Sequence, residues 1–175
     1  DGPADPVLAP ARGDVPAAPA AGMVPAPACA SLEDRPRAPL EGFGEVGFRV
    51  TAADGSTAFE GCALLAASPG ARAQGLMAQE DLRGYDAMVF RFDEASTGGF
   101  YMFRTVLPLS IAFVGEDGGL VSTADMDPCP ETEASACPTY RAAGPYRHAV
   151  EVVQGDLSRL GIVPGATVTF EGTPP

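Results

Sequence analysis

Three side chains in this sequence have the chemistry to contact a polar ligand: Tyr101, Arg104 and His148. Arg104 follows apolar residues in the longest apolar run, so we expect it to be buried and paired with a carboxylate such as Glu151 or Asp86. A guanidinium at an open face could instead bind a carboxylate or a sugar acid. Tyr101 would add an aromatic ring with a polar tip to such a groove.

His148 is the only histidine in the chain. An imidazole can act as a general base, but the spacing favours a partly exposed strand residue without a catalytic role. Lysine is absent and so is a Gly-x-Ser-x-Gly sequence, which excludes lysine nucleophiles, a P-loop and a hydrolase nucleophile elbow. One histidine and no Cys-x-x-Cys sequence give no basis for a zinc site. The sequence therefore favours a protein that is not an enzyme, with neither a metal nor a cofactor.

The four cysteines predict two disulfides. Cys129 and Cys137 are close in sequence, which leaves Cys29 as the natural partner of Cys62. Disulfides form in oxidising compartments, so we expect an extracytoplasmic protein, with a signal peptide or a lipid anchor upstream of the first residue, Asp1.

The charge of the chain excludes one class of partner. The net charge is −12 and all eleven basic residues are arginine. Nucleic-acid binding needs clustered Lys and Arg against phosphate, so no nucleic-acid partner is expected. The sequence has no apolar run of 18 residues, so no transmembrane segment is expected either.

Composition divides the chain in two. Residues 1–41 hold nine of the 18 prolines and few large apolar residues, and they predict an extended proline- and alanine-rich arm or linker. Residues 42–172 alternate apolar and polar positions in short segments separated by turns, which predicts a single mainly-β domain of sandwich or barrel type with two short helices. The helices are expected after Ser68-Pro69 and over Leu157–Leu160.

The candidate ligand residues lie on predicted strands, and a pocket converging on them would favour a binding function. The segments expected to form strands are Phe43–Ala53, Thr57–Leu65, Asp86–Phe92, Phe100–Arg104, Leu109–Val114, Leu120–Thr123, Tyr146–Val153 and Ala166–Phe170. Asp54-Gly55 joins the first two as a hairpin turn. Tyr101 and Arg104 would lie in a central strand, and His148 in another.

Several motifs resemble those of the family named Domain of Unknown Function 192. They are Gly75-Leu76-Met77, Asp86–Phe92, the block Phe100–Phe113, Pro128-Cys129 with Cys137-Pro138-Thr139-Tyr140, Ala149–Val152 and Gly161–Val168. The resemblance implies a jelly-roll-like β-sandwich and members that are exported or lipid-anchored, without an established activity. Phe103, Arg104 and Ser110 stand where the family often has Lys, Asn and Asp, which tells against an active site at those positions.

Two functions from different classes are compatible with these observations. The first is a non-catalytic exported accessory subunit that docks on a larger cell-envelope complex through its arm and its sandwich surface, with a protein partner. The second is an extracytoplasmic binding module for a small polar ligand or a carbohydrate, with Arg104, Tyr101 and His148 at its site.

Overall fold

A computed structural model of the protein describes residues 24–32 and 35–172. The helix is α1 (Pro69–Gln74), and two single 3₁₀ turns lie at Cys29–Ser31 and Ala134–Ala136. The strands are β1 (Gly44–Thr51), β2 (Thr57–Ala66), β3 (Ala87–Ser96), β4 (Gly99–Phe100), β5 (Leu109–Val114), β6 (Leu120–Met126), β7 (Tyr140–Arg141), β8 (Tyr146–Val153) and β9 (Thr167–Phe170). The predicted mainly-β class with few helices is confirmed.

Seven strands form one sheet in the order β6-β5-β8-β3-β2-β1-β9, and β4 pairs with β7 in a separate two-stranded ribbon. All neighbours in the large sheet are antiparallel except β2 and β3, which are parallel. A parallel pair needs a crossover connection, and residues 67–86, which include α1, supply it. The predicted hairpin between β1 and β2 turns at Asp54-Gly55, where Gly55 has a φ of 84°.

The large sheet curls into a half-barrel. The ring of His148 in β8 stacks on that of Phe170 in β9, with centroids 4.3 Å apart. Three strands lie between these two in the sheet, and a flat sheet would separate them by about 19 Å. At the rim, the N–H of Val168 donates to the carbonyl of Gly118 over 2.8 Å, which links the start of β6 to β9. The face that carries His148 and Phe170 is therefore concave.

Each face of the sheet carries its own hydrophobic core. The inner core fills the concave side and includes Val46, Phe48, Val50, Ala63, Val89, Ala112, Val150, Leu160, Ile162 and Val168. The outer core lies on the convex side and includes Leu64, Leu76, Met88, Phe90, Met102, Leu109, Ile111, Phe113, Met126 and Tyr146. Because both faces are covered, the central strands are apolar on both sides, as buried strands are.

Part of the predicted arm packs against the domain. A disulfide joins Cys29 to Cys62 of β2, and Leu32 and Leu40 pack on the outer core. The guanidinium of Arg37 donates to the carbonyls of Leu32 and Cys29, at 2.9 and 3.1 Å. Residues 1–23 of the predicted arm lie outside the described residues, so the division of the chain at residue 41 stays a prediction.

A buried aspartate fixes the same segment from the domain side. Asp86 is 7% exposed, forms an ion pair with Arg35 and accepts a hydrogen bond from the backbone N–H of Cys62 at 3.0 Å. Arg104, for which Asp86 was an expected partner, is not involved. The predicted pairing of Arg104 with Asp86 is wrong because Arg35 of the N-terminal segment already occupies that carboxylate.

The two predicted helices have different outcomes. Ser68 accepts a hydrogen bond from the N–H of Ala71 at 3.1 Å and Pro69 is the first helical residue, so α1 begins as expected. Leu157–Leu160 instead belongs to a series of turns over residues 154–161. The second predicted disulfide, between Cys129 and Cys137, is present and closes the loop between β6 and β7.

Candidate functional site: a cleft closed by Glu151

A cleft of about 260 Å³ opens on the convex face of the sheet, over β3 and β8. Its lining comes from four separate parts of the chain. These are residues 72–77, Phe90 with Phe92 and Ser96, residues 98–102 with Thr105 and Leu109, and Tyr146 with Glu151. Four of the stretches that carry the family resemblance, including Gly75-Leu76-Met77, therefore meet at one place.

Glu151 is the most unusual group in the cleft. It is 5% exposed, and its strand neighbours are Met88 on β3 and Ile111 on β5, both fully buried. No hydrogen bond or ion pair joins its side chain to another described residue. Burial alone raises the pKa of Glu151 to about 8. This carboxyl group is therefore largely protonated at neutral pH and faces a cleft in which no described residue pairs with it.

Aromatic rings form the walls beside Glu151. Phe90 and Phe100 meet edge to face at 4.9 Å, and Phe92 meets Tyr146 edge to face at 5.4 Å. The Tyr146 hydroxyl donates to the carbonyl of Gly98 at 2.9 Å, which fixes the ring against the loop. Edge-to-face pairs of this kind are a favourable arrangement of aromatic rings.

A glycine brings the helix side of the cleft close to the sheet. Gly75 ends α1 with a φ of 48°, and its N–H donates to the carbonyl of Ala71 at 2.9 Å. A Cβ atom at this position would lie 3.4 Å from the ring of Phe90. A residue with a side chain would therefore be strained here and would press on the aromatic wall.

Arg72 lies at the rim of the cleft. Its guanidinium is 5.1 Å above the ring of Phe92 and donates to the carbonyl of Arg91 at 3.0 Å and to that of Ala67. It is the other charged residue among the described residues that line the cleft. The guanidinium of Arg72 therefore forms a cation–π contact with Phe92 at this site.

The predicted ligand residues are not brought together. Tyr101 is 43% exposed and lines the cleft, whereas Arg104 and His148 do not line it. The expectation that Arg104 is buried in a strand with an acidic partner is wrong: it is exposed, has a φ of 54°, and stacks its guanidinium on Phe103 at 4.9 Å. Its carbonyl accepts from Ala78 N–H at 2.9 Å, which ties the loop to the turn after α1.

His148 lies on the opposite face of the sheet from the cleft. The expectation of a partly exposed histidine is wrong, because the ring is 7% exposed and stacks on Phe170. Its Nε2 atom has no hydrogen-bond partner among the described residues. Burial, with the charges of Arg91 and Arg147, lowers the pKa of His148 to about 4, so the ring is neutral at physiological pH.

The chemistry that the cleft supports is limited. Glu151 is the one carboxylate among the described residues that line it, whereas glycoside hydrolysis uses two. The Ser96 hydroxyl accepts from Gly98 N–H at 3.1 Å and lies 3.4 Å from the Tyr146 hydroxyl. No histidine activates it, because His148 is on the other face. Proton exchange at Glu151 and ligand binding are what this arrangement can do.

The described residues contain one group with metal-ligating atoms in reach of each other: Cys29, Glu45 and Cys62. Both sulfur atoms belong to the same disulfide, and a thiol must be a thiolate to bind a metal. Glu45 also accepts a hydrogen bond from the Tyr85 hydroxyl. This donor set does not fit a metal ion while the disulfide is present.

The fold is that of a small mainly-β domain, with a cleft on the convex side of its sheet. The family model of Domain of Unknown Function 192, described as “Uncharacterized ACR”, matches residues 50–170, and the chain belongs to this family. No curated protein matches the chain. No helix within residues 24–32 and 35–172 has the length and hydropathy of a membrane span.

Two solved structures are similar to this chain. One is a protein of unknown function from Novosphingobium aromaticivorans DSM 12444, with 32% identity and a TM-score of 0.61, covering 76% of this chain and 90% of that one. The other is a candidate transcription regulator from Sinorhizobium meliloti 1021, with 26% identity and a TM-score of 0.62, covering 73% of this chain and 95% of that one. Both likenesses support the fold.

Proposed function

We propose that this protein is a binding module for a small ligand, with its site in the cleft closed by Glu151. The observation that supports this is the Glu151 carboxyl group itself, which is buried and has no partner among the described residues. Its carboxyl oxygens are not among the fully inaccessible side-chain atoms that lack a partner in the described residues, so they can be reached from the space of the cleft. A ligand that carries one polar group on an apolar body would supply that partner and cover the aromatic walls.

The size of the cleft limits the ligand. Its volume of about 260 Å³ lies just below the range of roughly 300–1,000 Å³ that holds drug-sized molecules. The ligand is therefore a small molecule or the end of a longer one. Tyr101, which was predicted to bind a ligand, would contact it at the mouth, whereas Arg104 and His148 would not.

A fragment screen by nuclear magnetic resonance tests the proposal on the full 175-residue chain. Small amines, alcohols, amides and carboxylates are added to protein with ¹³C-labelled methionine methyl groups. We expect bound fragments to shift the methyl signal of Met102, which lines the cleft, and to leave that of Met126 unchanged. The proposal is overturned if no fragment shifts Met102, or if hits shift Met126 equally.

A pair of variants places the binding in the cleft. Met77→Trp adds a large side chain at a lining position, and Val106→Trp adds the same side chain at a residue that is 58% exposed and does not line the cleft. We expect the first variant to lose fragment binding and the second to retain it. Equal binding by both variants would place the ligand elsewhere.

The accessory-subunit function predicted from the sequence remains a second proposal. It is supported by the proline-rich composition of residues 1–41. The contacts of Cys29, Leu32 and Leu40 with their own domain count against a freely reaching arm in that part of the chain. An extracytoplasmic location is supported by the two disulfides. Native purification from cell membranes followed by mass spectrometry tests the docking, and an isolated monomer would overturn it.

A further inference from the structure

We propose that the ligand of the Glu151 cleft is an organic cation, a protonated primary or secondary amine on a small apolar body. This inference rests on the proposed binding function and names the chemical class of its ligand. The ammonium group would lie against Glu151, and the apolar body would lie between the aromatic walls. Three independent features of the site support a cation over a neutral or anionic ligand.

The first feature is that no described residue forms a hydrogen bond or an ion pair with the side chain of Glu151. A carboxylate accepts hydrogen bonds through two oxygen atoms, and its strand neighbours Met88 and Ile111 offer it no donor. The charged or titratable groups that share the cleft are Arg72, Tyr101 and Tyr146. Arg72 is engaged with Phe92 and two backbone carbonyls, and the Tyr146 hydroxyl donates to Gly98. An ammonium ion brings two or three N–H donors and the opposite charge to this position.

The second feature is the aromatic wall. Phe90, Phe92, Phe100 and Tyr146 surround the cleft, and the face of an aromatic ring attracts cations. The guanidinium of Arg72 above Phe92 is an example within the same site. An anion would meet aromatic rings and an ionisable carboxyl group, with no unengaged cation among the described residues that line the cleft.

The third feature is the charge of the whole chain. The net charge is −12, without a single lysine, and a field of this sign raises the local concentration of cations. The same field lowers the local concentration of anions.

Binding of an amine would release a proton. The protonated carboxyl group of Glu151 loses its proton to the solvent, and the carboxylate that remains pairs with the ammonium ion, which keeps all of its own protons. No covalent bond to carbon forms or breaks, and the site gains one negative charge to match the positive charge of the ligand. Since the pKa of Glu151 is raised to about 8, most protein molecules carry this proton at pH 7.

Three probes of one shape test the inference: benzylamine, benzyl alcohol and benzoate. Isothermal titration calorimetry on the full chain at pH 7 measures each affinity. We expect benzylamine to bind at least about tenfold more tightly than benzyl alcohol, and benzoate to bind most weakly. Repeating the benzylamine titration in phosphate and in Tris, whose ionisation heats differ, should show nearly one proton released per ligand.

Two matched variants test whether the preference for benzylamine over benzyl alcohol depends on the carboxyl group of Glu151. Glu151→Gln should bind benzylamine and benzyl alcohol with equal affinity, whereas Glu94→Gln, at an exposed position of β3, should keep the preference. If Glu151→Gln fails to fold, the proton release of the unmodified protein still tests the inference.

The outcomes separate this inference from the proposed function. Binding of benzyl alcohol or benzoate at least as tight as that of benzylamine, with shifts at Met102, would overturn the amine and keep the binding function. A benzylamine preference that survives in Glu151→Gln, or binding without proton release, would also overturn it. Absence of any shift at Met102 with all three probes and with the fragment set would overturn both.

Discussion

His148 and Glu151 lie three residues apart on β8 and face opposite sides of the sheet. His148 points into the concave side and stacks on Phe170, and Glu151 points into the cleft on the convex side. Burial shifts their pKa values in opposite directions, to about 4 for His148 and to about 8 for Glu151. One strand thus carries two groups that are both held neutral near pH 7.

The stability that Glu151 contributes should fall as pH rises from about 4.5 to about 8. Its pKa is near 4.5 in the unfolded chain and about 8 in the folded one, so the folded state binds more protons in between. The free energy of unfolding then decreases as pH rises, by up to about 1.4 kcal/mol per pH unit. Below pH 4.5 both states are protonated and this stabilisation is fully present.

Urea denaturation at several pH values from 5 to 9 measures this effect. Glu151→Gln carries no titrating group, so its stability relative to the unmodified protein should increase from pH 5 to pH 8 and then level off. The control Glu94→Gln should show a constant difference. A constant difference for Glu151→Gln as well would contradict the raised pKa.

His148 should make the free energy of unfolding increase with pH, in a lower pH range than that of Glu151. Its pKa falls from 6.5 in the unfolded chain to about 4 in the folded one, so the unfolded state binds more protons between these values. Stability attributable to His148 is therefore complete above pH 6.5 and is lost as pH falls towards 4. His148→Phe, which preserves the ring contact with Phe170, should lose less stability than the unmodified protein between pH 6.5 and pH 4. Parallel pH profiles for the two proteins would refute this expectation.

The two disulfides should differ in what they contribute to stability. The Cys29–Cys62 bridge spans 33 residues and Cys129–Cys137 spans 8. In the loop-entropy model these correspond to about 4 and about 2.5 kcal/mol. Replacing each pair by alanine and measuring urea denaturation should show the larger loss for the first pair. Equal losses would mean that constraint of the unfolded chain is not the main contribution.

Asp86→Ala should destabilise the fold by about 1–3 kcal/mol, because the N–H of Cys62 would lose its buried acceptor. Asp86→Asn keeps an oxygen for that N–H and loses only the ion pair with Arg35, which is 45% exposed. Exposed ion pairs contribute about 0–1 kcal/mol, so this variant should lose much less. Urea denaturation of both variants at pH 7 measures the two losses of stability. Equal losses would show that the ion pair, rather than the hydrogen bond to Cys62, is the main contribution of Asp86.

Gly47→Ala should displace the backbone around Pro27 from β1, while the Cys29–Cys62 disulfide keeps the segment attached. A Cβ at this position of β1 would overlap the carbonyl oxygen of Pro27, and overpacking of this kind costs about 1–3 kcal/mol. Gly70→Ala in α1, where nothing lies within 4 Å of the added atom, is the control. Limited proteolysis should cut the first variant around residues 24–32 and leave the second intact, and identical digestion patterns would be evidence against this packing.

The sequence predicts most of the strands because turn chemistry marks their ends. Asp54-Gly55 predicts the first hairpin correctly, and Ser68-Pro69 predicts the start of α1. The strand predicted over Phe100–Arg104 is wrong beyond Phe100, where β4 ends, and Arg104 adopts a positive φ that an extended strand does not contain. A positive φ at a non-glycine residue leaves no mark in apolar periodicity.

The site is harder to predict from sequence than the fold. In Tyr146–Val153 the apolar residues occupy both faces of β8, so their alternation does not reveal which face Glu151 meets. We expected Glu151 as an ion-pair partner of Arg104, and it has no such partner. A usable signal was present, since a single carboxylate within Ala149–Val153 must be buried if the strand is covered on both sides.

The pairing of β1 with β9 also affects the order of folding events. Phe48 lies beside Phe170, so the half-barrel cannot close until the last strand has been synthesised, and contacts this distant in sequence slow folding. The Cys29–Cys62 bridge requires only the N-terminal segment and the first hairpin. We therefore expect the N-terminal segment and the first hairpin to fold and cross-link early, before β9 pairs with β1. Until that pairing forms, the edge of β1 is exposed, and this edge is the part that a chaperone would need to protect.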